Sequence, residues 1–495
     1  MKILFFHPSN YLDIGIPEGI AILSALLKKE GHEVALFDTT FLKPDSYKDK
    51  RHEYNAGMSG PAIYKKTSYT IEDLVMDDPI VNPAREFQKK IDEFEPDLIA
   101  VSVMTTNYDF AMKYIRKIKT RCPIVVGGVH PTLCPDEVIA EDSVDIVCLG
   151  EGEGALVELC EMIDKAKDYT FIKNLWVKNK NGKVTKNAVR PFVDLNKLPC
   201  PDWSLFDARH LYRPFMGNIY KGSFYISSRG CPCDCTYCVN KILKEKFTGC
   251  GQYFRYQEPE VTLAHIRELK EKYGATWFKF GDDTFLLKPI EKLRKLRDGL
   301  KPLKIQFGCS VRPDTVTDEK VKLAKEMGCV AMSIGIESGN EYIRRNILNR
   351  QISNEQIEKA FNIIDSNNIR ISTFNLIGLP TETRKDVFET IELNKKLKAR
   401  SANVFVVYPF PGSQISIKYK TRYKDKNGKI VPMSKAYTFG LSKMTPREVE
   451  WLRKTFNLYL YLPKELWPVI KLTENSSAKA RKSYEALSNF ASTIV

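Results

Sequence analysis

The chain has 495 residues, with 76 Lys+Arg against 61 Asp+Glu and hence a formal net charge of +15. Hydrophobic residues make up 43 % and charged residues 28 %, a globular balance that excludes disordered, collagen-like and low-complexity classes. No run of about 18 uncharged apolar residues occurs and the start MKILFFHP lacks the parts of a signal peptide, so a cytoplasmic protein of two large domains and a tail is expected.

In chain order, KILFFH (2–7) reads as a buried strand, IPEGIAILSALLKKEGH as a helix ending at Gly31, and EVALFD as a second strand. Residues 41–80 mix Pro, Lys, Tyr and Gly and read as an irregular insertion. The alternation then resumes: NPAREFQKKIDEFEP helix, DLIAVSVM strand, DFAMKYIRKIKTR helix, PIVVGG strand, a short helix, DIVCLG strand and EGALVELCEMID helix. Five strands alternating with helices predict a doubly wound parallel sheet of the flavodoxin or Rossmann type. Ligands of such sheets bind at the carboxyl ends of the strands. The loops there are Ser102–Asn107, Gly127-Gly128-Val129-His130-Pro131-Thr132 and Gly150-Glu151-Gly152-Glu153, whose small residues let backbone approach a large flat ligand. None is GxGxxG, so a dinucleotide is not indicated.

These pieces, with Pro17-Glu18-Gly19 and Gly31-His32-Glu33-Val34, resemble the cobalamin-binding domain found upstream of radical S-adenosylmethionine (SAM) cores. The resemblance covers most of residues 1–165. It implies a cobalamin cradled on Ser102, Gly127, Gly128, His130, Thr132, Gly150, Glu151 and Gly152. No Asp-x-His-x-x-Gly occurs, so a histidine beneath the cobalt is not expected. Residues 166–221 read as a linker, with a hairpin around Asn181-Gly182 and a connector, Leu198–Trp203, stiffened by two prolines.

Of twelve cysteines, four fall in eight residues: Cys231, Cys233, Cys235 and Cys238. The chain is too long, and lacks the leader, for a secreted disulfide framework. Three thiolates spaced Cys231-x-x-x-Cys235-x-x-Cys238 suit three irons of a cubane with the fourth left open. Structural zinc favours two CxxC pairs, and no second pair follows. Cys233 is read as a bystander. CxxxCx(aromatic)C, with Tyr237 as the aromatic residue, resembles the radical SAM superfamily. That resemblance implies a [4Fe–4S] cluster on Cys231, Cys235 and Cys238, with SAM on the open iron and cleaved to a 5′-deoxyadenosyl radical.

From FYISSRG to ANVFVVYPFPG, six strand patterns alternate with helices, as in an open six-stranded (β/α)6 partial barrel over residues 222–415. Polar groups fall at the strand ends. Gly281-Asp282-Asp283 occupies the place of a GGE-like motif that receives SAM's ammonium, where carboxylates suit a cation. Ser310 and Arg312 follow the third strand, and the guanidinium suits SAM's carboxylate or a ribose hydroxyl. Glu337 follows the fourth as a ribose candidate. Ile377 and Gly378 follow the fifth, with backbone for adenine, and Tyr408–Gly412 follows the sixth.

Residues 416–495 read as a helical extension. Thr445-Pro446-Arg447-Glu448 has the form of a capped helix start, and WLRKTFNLYLYLPKELWPVIKL mixes aromatic, leucine and basic residues. The first reading is a helix packed on the barrel; the second is contact with an amphipathic substrate or a membrane surface. Scattered lysines and the lack of zinc-finger, helix-turn-helix or RNP patterns argue against a nucleic-acid partner.

The sum is a cobalamin-dependent radical SAM methyltransferase that moves a methyl from SAM to an unactivated carbon or phosphorus centre. Its partners would be a small-molecule or lipid-like substrate and a reductant such as flavodoxin or ferredoxin. The alternatives are a cyclase or ring-contracting enzyme on the same scaffold, or a methylthiotransferase. The last has three N-terminal cluster cysteines, whereas Cys122, Cys134, Cys148 and Cys160 are dispersed here.

Overall fold

The computed structural model describes residues 1–44, 80–215 and 218–494; the insertion expected over 41–80 falls largely outside them. The described residues form two compact units, one holding residues up to 230 together with 243–278, the other 231–242 and 279–494.

The first unit is built on seven strands: β1 (Lys2–His7), β2 (Glu33–Asp38), β3 (Leu98–Ser102), β4 (Ile124–Gly127), β5 (Ile146–Cys148), β6 (Leu175–Lys178) and β7 (Val184–Lys186). Their order is β2-β1-β3-β4-β5-β6-β7. The first five are parallel. Ile3–Phe6 and Leu98–Val101 are buried side by side, which is why these strands read as continuous apolar runs. Strand order reverses between β1 and β3, and that reversal opens a crevice at the carboxyl ends. The hairpin assigned to the linker instead pairs antiparallel with β5 and extends this sheet. The connector after it is anchored on helix Glu18–Lys29, where Ser24 Oγ and Lys28 Nζ each donate to Asp202 Oδ2 at 2.7 Å.

In the second unit β8 (Gln306–Val311), β9 (Cys329–Glu337), β10 (Arg370–Ile377) and β11 (Ala402–Val406) pair parallel in chain order. In sequence, Phe224–Tyr225 and Trp277–Phe280 precede them, giving six strands alternating with helices. Helices Asn354–Ser366 and Arg384–Lys396 start on the capping boxes Ser353/Gln356 and Thr383/Asp386, each satisfying two orphan donors. The β9–β10 register slips between Gly335 and Glu337, and Glu337 has φ of 65°. A bulge at a strand end re-aims the side chain that follows.

The tail is core. Helix Pro446–Tyr461 starts on the Thr445/Glu448 capping box, and its Leu452 and Phe456 lie fully buried with Val404, Val406 and Ile391. Burying each such side chain contributes about 1.5–3 kcal/mol. The aromatics that suggested a membrane surface are spent here: Trp467 packs on Phe388 and Tyr459, and its Nε1 donates to Tyr459 O at 3.1 Å. Among the described residues, no helix is long and apolar enough to cross a membrane.

Candidate functional site

A cavity of about 380 Å³ opens at the carboxyl ends of β1, β3, β4 and β5. Ser102, Gly127, Gly128, Thr132, Gly150, Glu151 and Gly152 all line it, as the strand-end loops led one to expect. The lining mixes glycines with apolar side chains such as Ile22, Leu156, Phe192 and Phe247. Gly128 has φ of 106°, and a Cβ there would come within 2.4 Å of Val103 O. Gly150 has φ of 69°, and a Cβ would meet the Phe247 ring at 2.6 Å. Only glycine accepts both constraints. Thr132 ties the two loops together: its Oγ1 donates to Gly128 O at 2.7 Å and accepts from Gly150 N–H at 2.9 Å.

Glu151 lines the cavity as an ion-pair anchor. Its carboxylate receives Arg255 at 2.6 Å, Arg229 at 3.1 Å and the Val193 N–H at 2.9 Å, and Arg229 also holds Glu153 at 2.5 Å. Burial alone would raise the Glu151 carboxyl, but the two guanidiniums outweigh it and hold it below the ordinary carboxylate range. Arg229, Arg255 and Phe247 carry no sequence motif, and only the fold brings them to this wall.

His130 is a correction. It does not line the cavity; its ring is fully buried, lies 4.3 Å from that of Tyr108, and meets Thr105 Oγ1 through Nδ1 at 3.2 Å. The helical turn after Gly128 points Thr132 one way and His130 the other.

In the second unit the cysteine loop is held by hydrogen bonds that end on backbone carbonyls. Thr236 N–H donates to Leu348 O and its Oγ1 to Ile347 O, while Asn349 Nδ2 donates to Asp234 O at 3.0 Å. The supporting segment, Ile343–Ile347, is a π-helical turn, a form often found at functional sites. Cys231 and Cys235 are buried and Cys238 half-buried. The Cys231 thiol donates to Cys233, which raises it, with burial adding to the effect. Burial pushes the Cys238 thiol up to about 11.

Two arginines aim at one sulfur. Arg312 donates to Cys235 Sγ at 3.4 Å and Arg350 at 4.0 Å. Arg350 also donates to Gly335 O at 2.9 Å and lies 3.6 Å from Glu337. It stands in NRQIS, outside every motif, so sequence reading passed over it. Burial raises the Glu337 carboxyl, opposed by Arg350 and by a hydrogen bond from Tyr237. Asn240, also missed, bridges Cys238 Sγ at 3.7 Å and Asp283 Oδ1 at 3.1 Å.

Other strand-end residues depart from expectation. Asp282 turns inward and pairs with buried Lys288, which neutralises it; Asp283, next to exposed Gly281, is the carboxylate left open. Gly378 N–H donates to Glu382 Oε2 at 2.7 Å and Ile377 O accepts from Val407 N–H, so both backbone groups expected to meet adenine are already engaged. Arg312 forks onto Asp314 at 2.9 and 3.0 Å as well as facing Cys235. Ser310 is half-buried in β8. Tyr408 is buried, and its hydroxyl donates to Val431 O.

Both donor sets fit the cofactors the motifs imply. The first offers glycine loops beside a largely apolar lining, which suits a flat macrocycle. The second offers three thiols that do not converge as a single-ion site: the one such group found among the described residues lies elsewhere.

The comparisons with known proteins agree with this division. Residues 225–393 match the radical SAM superfamily model, and residues 61–160 match the B12 binding domain model. An uncharacterized methyltransferase of Pyrococcus horikoshii is 27 % identical over 491 residues, covering 94 % of each chain. An anaerobic magnesium-protoporphyrin IX monomethyl ester cyclase of Rubrivivax gelatinosus is 23 % identical, over 71 % of this chain and 63 % of its own. The radical SAM methyltransferase TsrM of Kitasatospora setae, solved with cobalamin and a [4Fe–4S] cluster, shares the fold at a TM-score of 0.65 and 15 % identity, covering 99 % of this chain and 98 % of its own. The chain thus combines a radical SAM domain with a B12-binding domain. It is a cobalamin-dependent radical SAM enzyme whose cofactors are a [4Fe–4S] cluster, SAM and cobalamin.

Proposed function

We propose that this enzyme is a methyltransferase that moves a methyl group from SAM, by way of cobalamin, to an unactivated carbon or phosphorus centre of a small-molecule substrate. The observation that carries the reading is the pairing of a glycine-lined cavity with a three-cysteine loop in one chain, together with a methyltransferase relative matched over nearly its whole length. When bound, the cofactors supply a carbon-centred radical and a transferable methyl. Cys231, Cys235 and Cys238 hold the cluster, and Arg312 and Arg350 direct N–H groups at Cys235 from the protein side. Asp283, positioned by Asn240, would accept SAM's ammonium, and Glu337 would meet its ribose. Gly127, Gly128, Gly150 and Gly152 would let a corrin approach the main chain of their loops. The domain assignment is 1–165 for cobalamin, with residues 175–186 of the segment 166–221 extending its sheet, 222–415 for the radical core and 416–495 for the extension. The reductant is a flavodoxin or ferredoxin type.

Turnover with methyl-labelled SAM tests this. The expected result is label in product, with S-adenosylhomocysteine and 5′-deoxyadenosine formed together and about two SAM consumed per methyl. Product formed with 5′-deoxyadenosine but without label refutes methyl transfer. It favours cyclisation instead, the reading to which the cyclase relative points.

A further inference from the structure

A second set of donors lies in the first unit, off the cavity wall. His130, Cys134 and Glu137 come from a twelve-residue stretch, 128–139, that forms two short helices meeting at Cys134. One nitrogen, one sulfur and one carboxylate oxygen lie within 4.8 Å of one another.

The local backbone explains the convergence. Cys134 N–H donates to His130 O at 2.8 Å, so these residues, four apart, share one helical face. Pro135 opens the next helix and sets Glu137 three residues beyond Cys134. The His130 ring is fully buried and fixed at Nδ1 by Thr105 Oγ1 at 3.2 Å, while Nε2 lies 3.5 Å from Glu137 Oε1. A histidine oriented at one nitrogen, with the other facing an anionic donor, has the arrangement of a metal ligand.

We propose that His130, Cys134 and Glu137 form a binding site for one zinc-type divalent cation, distinct from the cluster and the cavity. Mixed nitrogen, sulfur and oxygen donors at four-coordinate geometry suit zinc, with water in the fourth position. Binding releases the Cys134 thiol proton to solvent and oxidises nothing. The ion would clip the turn whose other face carries Val129 and Thr132 into the cavity wall.

The test uses the full-length, untagged chain in which Cys231, Cys235 and Cys238 are all changed to Ala, so that cluster thiolates do not compete. Cobalt(II) is added as the probe after chelation, with circular dichroism checking the fold. The expected result is one cobalt(II) per chain with a thiolate charge-transfer band, displaced by one equivalent of zinc. Cys134→Ser should abolish the band, and Thr105→Val should weaken binding by about tenfold or more. Should Cys134→Ser misfold, Glu137→Gln gives the same readout as lost affinity with the band position shifted. Absence of stoichiometric cobalt(II), or a band that survives Cys134→Ser, overturns the site. Because this protein has no cluster and is read without turnover, failure here leaves the proposed methyl transfer untouched.

Discussion

In the first unit the two loops at the cavity depend on backbone conformation: Gly128 and Gly150 hold positive φ, Thr132 stitches their loops, and the charges behind them are mutually paired. In the second unit the cysteine loop depends on side chains: Arg312 and Arg350 face Cys235, Asn240 links Cys238 to Asp283, and Glu337 is pinned between Tyr237 and Arg350. Glycine loops are damaged by adding atoms and a side-chain lattice by removing them. The two regions should therefore respond oppositely to the same kinds of substitution.

The largest effect is expected from Cys235→Ala, with Cys231→Ala and Cys238→Ala alike. Reconstituted protein should fall from about four irons per chain to near none and lose 5′-deoxyadenosine formation, read by iron analysis and chromatography. Cys233→Ala should keep both; loss of the cluster in that variant would make Cys233 a fourth ligand.

Next comes Arg350→Ala, which strips the buried Glu337 carboxyl of its cation. Removing one member of a buried pair costs about 3–5 kcal/mol, measurable by chemical denaturation, whereas Arg350→Lys should recover part of it. An Arg350→Ala chain as stable as the parent would mean that the second region does not rest on its charges.

In the first unit the direction reverses. Gly128→Ala forces a Cβ against Val103 O at positive φ, a strain of about 1–3 kcal/mol, and should reduce corrinoid retained on purification. Gly308→Ala, whose Cβ would meet nothing nearer than 3.6 Å and which lies off the cavity, is the control and should be neutral. Equal losses from both would separate corrin binding from the glycine loops.

The smallest effect is a pH slope. Burial pushes the Glu382 carboxyl up to about 8, against the hydrogen bonds it accepts from Leu379 and Gly378 N–H. The folded state then holds a proton that the unfolded chain loses near 4.5, so stability falls as pH rises from about 4.5 to 8. Glu382→Gln should flatten this slope in denaturation midpoints taken between pH 5 and 8.

The sequence by itself determined what is local. Continuous apolar strands alternating with amphipathic helices defined both α/β halves, because strand and helix periods are properties of a short window. The cysteine spacing and the glycine loops suggested their chemistry for the same reason: the three cysteines fall within eight residues and each glycine turn is complete within a few. Tertiary structure decided what depends on distant partners. Asp282 was drawn inward by Lys288, Gly378 was claimed by Glu382, and the tail's aromatics became core instead of a surface. Arg350, Arg229 and Arg255 gained their meaning from partners 13 to 115 residues away. Burial fixes which way a charged side chain turns, and burial is set by the whole fold.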